Sequence, residues 1–207
     1  MEKNSEYLED LKTIKRVMEE SSRFLSLSGL SGLIAGLAAL IGGSAALFLV
    51  SGGRLVLSEE DITGMTGNRL LLLLADVLAV LLIAMISSVY FSYRRSVRQG
   101  LKIWTPVSKR MLLHLLIPLS AGAAFIIILI SKGDWQYVAP SMLIFYGLAL
   151  VSSGKFTSGE VFWLGLAELL TGLVAMIFTG YSILFWFFGF GILHIIYGLL
   201  LFRKYEG

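Results

Sequence analysis

Two carboxylates and one imidazole lie inside long apolar runs of this sequence: Asp76, Glu168 and His194. An ionisable side chain near the middle of a hydrocarbon layer costs about 2.5–3.5 kcal/mol on insertion scales, so each needs a partner or a purpose. Glu168 stands seven residues after Val161, and His194 stands eight residues before Phe202. At a rise of ~1.5 Å per residue they lie ~10 and ~12 Å from the same edge of the membrane. Their two runs are antiparallel and joined by a tight turn, so a Glu168–His194 hydrogen bond or ion pair is geometrically open to them. A histidine beside a carboxylate can titrate near neutral pH, which suits a proton-linked or substrate-binding site. The same pair also suits a polar clasp that fixes the register of two helices.

Asp76 lies seven residues into its run from the opposite face, ~10 Å deep, and does not join the other two in one constellation. Arg69, at i−7 on the same helical face, reaches it only in part by snorkelling. Gly43 and Ser44 of the preceding run lie at matching depth. The three residues are the candidate intramembrane polar site. Two ligands at one level are too few for a metal ion, and no HExxH, paired aspartate or serine–histidine spacing is present. With no cysteine in the chain, thiolate chemistry and disulfides are excluded. The expectation is therefore no catalytic residue, no metal, no cofactor and no enzyme. His114 and Glu160 are expected at solvated helix ends.

The elements that position these groups follow from composition. Hydrophobic residues make up 57% of the 207-residue chain and charged residues 15%, with a mean hydropathy of +0.82. A soluble domain carries about 25% charged residues, so this chain reads as lipid-embedded. Six runs approach the ~20 apolar residues that a spanning helix requires: 24–50, 69–93, 111–131, 137–153, 161–179 and 181–202. The fold class is all-α, a polytopic membrane protein of six transmembrane helices. The acidic residues before Phe24 and the length of the first run argue against a cleaved leader. Of the 17 lysines and arginines, 14 fall on the side that holds both termini and 3 on the other. Cytoplasmic flanks hold such an excess, which places both ends in the cytoplasm.

Gly29, Leu30, Leu33, Gly36, Leu37, Ala39 and Ile41 recur as Gly165, Leu166, Leu169, Gly172, Leu173, Ala175 and Ile177. Ile144, Tyr146, Gly147, Leu148 and Leu150 recur as Ile195, Tyr197, Gly198, Leu199 and Leu201. These echoes read as one helical hairpin repeated three times in parallel orientation, although membrane composition alone also produces such matches. Gly29, Gly32, Gly36, Ala39 and Gly43 share one helix face, the kind of small-residue stripe on which membrane helices pack. In the recurrence the place of Gly32 is taken by Glu168.

Residues 1–23 precede the six-helix domain of residues 24–207. Tyr7, Leu11, Ile14 and Met18 form an apolar stripe on a cytoplasmic amphipathic helix there, and the opposite face carries both signs of charge. That mixture suits helix contact more than lipid adsorption: packing on the bundle, self-association, or capture of a cytoplasmic protein partner. The segment Tyr93–Arg110 is basic without an acid. Arg94, Arg95, Arg98, Lys102, Lys109 and Arg110 are its candidate contacts to anionic lipid headgroups. A loop so short builds no nucleic-acid reader, so the expected partners are the bilayer and proteins.

The motifs IPLSAG, APSMLIFYGLAL, LGLAELLTGL and FGFGILHIIYG followed by RKYE, with the opening YLEDLKTIKRVMEESSRFLSLSGLSG, resemble an uncharacterised family of small bacterial six-helix integral membrane proteins. The likeness covers nearly the whole chain and implies no activity or site residue. A more distant likeness, in helix count and small-residue stripes, is to HdeD-type acid-resistance membrane proteins. On these grounds the expected function is a non-enzymatic structural, stress-response or regulatory role. The alternative is a small transporter or channel, with proton coupling as one form, using Asp76, Glu168 and His194.

Overall fold

The computed structural model describes residues 28–56, 58, 61, 67–100 and 104–205. The N-terminal amphipathic helix expected over residues 1–23 lies outside them. Among the described residues the protein is all-helical: α1 (Gly29–Ser51), α2 (Gly67–Arg98), α3 (Pro106–Lys132), α4 (Val138–Gly154), α5 (Gly159–Ile177), α6 (Ser182–Trp186) and α7 (His194–Tyr205). A π-helical segment, Phe187–Leu193, joins α6 to α7, and with the 3-10 turn Thr179–Tyr181 before them they make the sixth span, Thr179–Lys204. Among the described residues six helices are long and apolar enough to cross a membrane. This is a multi-pass membrane protein by length and composition.

Two boundaries differ from expectation for local reasons. The described part of the first span begins at Gly29, since Ser28 is still extended. The basic segment is largely helical: α2 runs on to Arg98, and α3 begins at Pro106. Arginines in the last turn of α2 complement the helix dipole, which favours that extension. Thr105 and Ser108 close a capping box, in which the Ser108 amide donates to Thr105 Oγ1 (3.1 Å) and the Thr105 amide to Ser108 Oγ (2.8 Å). Proline at the first helical position lacks only an amide that would have had no helical partner. Arg94, Arg95 and Arg98 thus sit at the end of α2, Lys109 and Arg110 in the first turns of α3, and Lys102 outside the described residues.

Packing runs from the second span to the first, the first to the sixth, the fifth to the fourth and the fourth to the third, and the sixth span packs against both the fourth and the fifth. Two of these crossings are built alike. Where α1 meets the sixth span, a Cβ added at Gly198 would come 2.7 Å from Gly29 O, and one at Gly36 would come 2.7 Å from Ile195 Cγ1. Where α4 meets α5, a Cβ at Gly147 would come 2.7 Å from Gly165 O, and one at Gly172 would come 2.7 Å from Ile144 Cγ1. Any side chain at these positions collides with backbone or with a partly buried isoleucine, so the two crossings exist because the residues are glycine. The third pairing, α2 with α3, has no substantial packing contact, and both helices turn most of their surface outward. Aligning Gly122 of α3 with Gly172 puts Leu115 where α5 has Gly165, which removes the close-approach surface.

Candidate functional site

The fourth and fifth spans meet the sixth beside its π-helical segment. Glu168, from α5, is fully buried; His194 opens α7 at 7% exposure; Tyr146 comes from α4. His194 Nδ1 stands 3.2 Å from Glu168 Oε1 and 3.2 Å from the carbonyl oxygen of Gly189. Its Nε2 stands 2.8 Å from the Tyr146 hydroxyl. Only the Gly189 contact aligns as a hydrogen bond from Nδ1, and neither Glu168 oxygen has an aligned partner among the described residues. Because a carbonyl oxygen only accepts, Nδ1 carries the proton in the neutral ring, and Nε2 then accepts from the Tyr146 O–H. The Tyr146 and His194 rings stack with centroids 5.4 Å apart at 28°, and Phe190 touches both, 6.1 Å from His194 and 5.3 Å from Tyr146.

The local sequence explains the junction. The segment FFGFGIL holds two glycines, and single π-turns inside helices tend to occur at sites where a side chain must be re-aimed. A Cβ added at Gly189 would lie 2.5 Å from Glu168 Oε2, so this glycine leaves room for the carboxyl group. A protonated carboxyl beside a neutral imidazole, or a carboxylate beside an imidazolium, would carry no net charge. That neutrality lowers the cost of burying both.

Asp76 lies apart, with a different environment. Its carboxylate rests beside the backbone of Gly42, where an added Cβ would be 3.3 and 3.4 Å from its two oxygens. The depth match had suggested Gly43 or Ser44. Instead Gly43 faces the Trp186 and Phe187 rings of the sixth span, and the Ser44 hydroxyl donates to Leu40 O (2.7 Å) on its own helix. Successive residues turn about 100° around a helix, so only Gly42 of the three points toward α2. Asp76 has no ion pair with Arg69 and no hydrogen bond among the described residues. It borders a cavity of about 550 Å³ between α1, α2, α3, α4 and the start of the sixth span. The wall is mostly apolar, with Trp135, Gln136, Thr179, Ser182 and Trp186 among its polar or aromatic members. Glu168 and His194 do not border this cavity.

Other polar groups are less solvated than expected. His114 Nδ1 is 3.1 Å from Ser152 Oγ and its ring lies 4.9 Å from that of Phe156, because α3 and α4 pack there. Glu160 pairs with Lys204 across the ends of α5 and α7. In the loop after α1, the Ser58 amide and hydroxyl both donate to Asp61 Oδ2, at 2.9 and 2.7 Å, and Arg54 pairs with Asp61 Oδ1. The Ser58 amide, with its hydroxyl and Arg54, holds the Asp61 carboxyl below the usual carboxylate range.

Tyr146 and the cavity were missed in reading the sequence. Tyr146 could have been found by depth: it precedes Gly154, the end of α4, by the same eight residues that separate His194 from Phe202. The cavity had no signal, since it arises from the splaying of α2 and α3. Among the described residues no group of three histidines, aspartates or glutamates could hold a metal ion. No protein-family model matches the chain, nor does any curated protein or any solved structure.

Proposed function

We propose that this chain is a non-enzymatic protein of a bacterial inner membrane, with both termini in the cytoplasm and a structural, stress-response or regulatory role. The observation that carries this reading is the seclusion of Glu168, His194 and Tyr146. Their polar atoms meet inside a packed junction of three spans and do not border the cavity. A proton or substrate path needs access, whereas a clasp needs only mutual contact. The hairpin repeat belongs to the same reading, supported by the paired glycine crossings, with α2 and α3 as the one pairing left open. The 14-to-3 distribution of basic residues supports the orientation. In that orientation Arg94, Arg95, Arg98, Lys109 and Arg110 meet the cytoplasmic headgroups. Residues 1–22 would carry any contact with a soluble partner, and their deletion would abolish it while leaving the bundle folded.

The test is proton flux into proteoliposomes. Flux from protein-loaded vesicles equal to that from empty ones is the expected result. Flux above that level, lost in Glu168→Gln or His194→Gln, would replace this reading with a proton-coupled transporter. A transporter or channel is the second reading, favoured by the Asp76 cavity.

A further inference from the structure

We infer that the cavity beside Asp76 is a binding site for an amphipathic monocation, a molecule with one positive charge on an apolar or aromatic body. Three observations converge on that class. The volume, about 550 Å³, matches sites that enclose a small organic molecule. The wall is apolar apart from a few polar groups, so an inorganic ion or a sugar would lose more hydration than it regains. Among the described residues the one formal charge on the wall is the Asp76 carboxylate, and none of them gives it a cationic partner. A ligand cation would supply the missing countercharge at a depth where a lone charge is costly. Trp135 and Trp186 add aromatic faces, which attract organic cations in a water-poor setting.

The shape of the fold supports access. The cavity lies between the two spans, α2 and α3, that lack a packing contact with each other, and its wall includes Gln136, Thr179 and Gly180 from the ends of neighbouring spans. Gly42 also has a role here, since an added side chain would collide with Val80, so the glycine lets α2 lie close to α1 with the Asp76 carboxylate beside its backbone. Binding of this kind stands apart from transport. A chain that holds the cation without moving it is a sensor or a buffer, and vesicle flux separates the two.

The probe is tetraphenylphosphonium, with tetraphenylborate as an anion of nearly the same size and shape. Equilibrium dialysis of the full chain in dodecyl maltoside is expected to give one saturable cation per chain, bound at least tenfold more tightly than the anion. Asp76→Asn should weaken the cation at least tenfold, and Asp76→Glu should recover most of the loss. Ala139→Trp, which fills the cavity while leaving the carboxylate in place, should abolish binding and keeps the test intact if Asp76→Asn fails to fold. Equal binding of cation and anion, or undiminished cation binding to a folded Asp76→Asn or Ala139→Trp chain, would overturn the assignment. A lipid amine offers related chemistry, so phosphatidylethanolamine is added as a competitor. No competition supports a free amphiphile, and full competition would overturn it in favour of a headgroup.

Discussion

Glu168 and Asp76 are both carboxylates at membrane depth, and the fold treats them in opposite ways. Glu168 is sealed among α4, α5 and the sixth span, with an imidazole at 3.2 Å and a glycine cleared to make room for it. Asp76 borders a cavity, rests against Gly42, and has no polar partner among the described residues. The difference teaches that intramembrane charge alone does not identify a site. What distinguishes the two is whether the neighbours complete the charge or leave it for something else to complete.

The sharpest way to break the comparison is at Glu168 and His194. His194→Ala leaves a buried carboxyl without its neighbour and should cost about 3–5 kcal/mol. Unfolding of the purified protein in mixed micelles measures it. The double change Glu168→Met with His194→Leu should cost far less than the sum of the single changes, since an apolar pair often replaces a buried ionic one with little loss. Additive losses would show that the two residues do not act as a unit.

Gly147→Leu and Gly198→Leu test the crossings that hold the clasp in place. Each should destabilise by about 1–3 kcal/mol or more, because the added side chain meets backbone directly. Similar losses at both sites are expected, since both glycines meet backbone in the same way. Tyr146→Phe removes one hydrogen bond to His194 and should cost about 0.5–1.5 kcal/mol, with the fold retained. Asp76→Asn should leave unfolding unchanged or make it harder, because it removes a charge that no described side chain compensates. A loss comparable to that of His194→Ala would mean that Asp76 has a structural partner after all.

The smallest effect is expected outside the bilayer. The Asp61 carboxyl is held below its ordinary range, so its contribution is present above the unfolded-state pKa and lost as pH falls through the folded-state value. Ser58→Ala should raise the midpoint of the Asp61 carboxyl signal in an NMR titration. An unchanged midpoint would remove Ser58 as the cause.

The sequence by itself determined the spans, since segment length and hydropathy follow directly from the thickness of the hydrocarbon layer. It also made the glycine faces legible, because a stripe at helical spacing is a local property of one helix. The matching depths of Glu168 and His194 were readable for the same reason: the rise per residue is fixed. Tertiary structure decided which faces met. It paired α1 with the sixth span and α4 with α5, brought Tyr146 to the free nitrogen of His194, and left α2 and α3 apart. It also rotated Gly42 rather than Gly43 toward Asp76. Depth along a helix is set by counting residues, but the angle at which two helices cross, and hence which side chains touch and where a cavity opens, is set by the packing of all of them together.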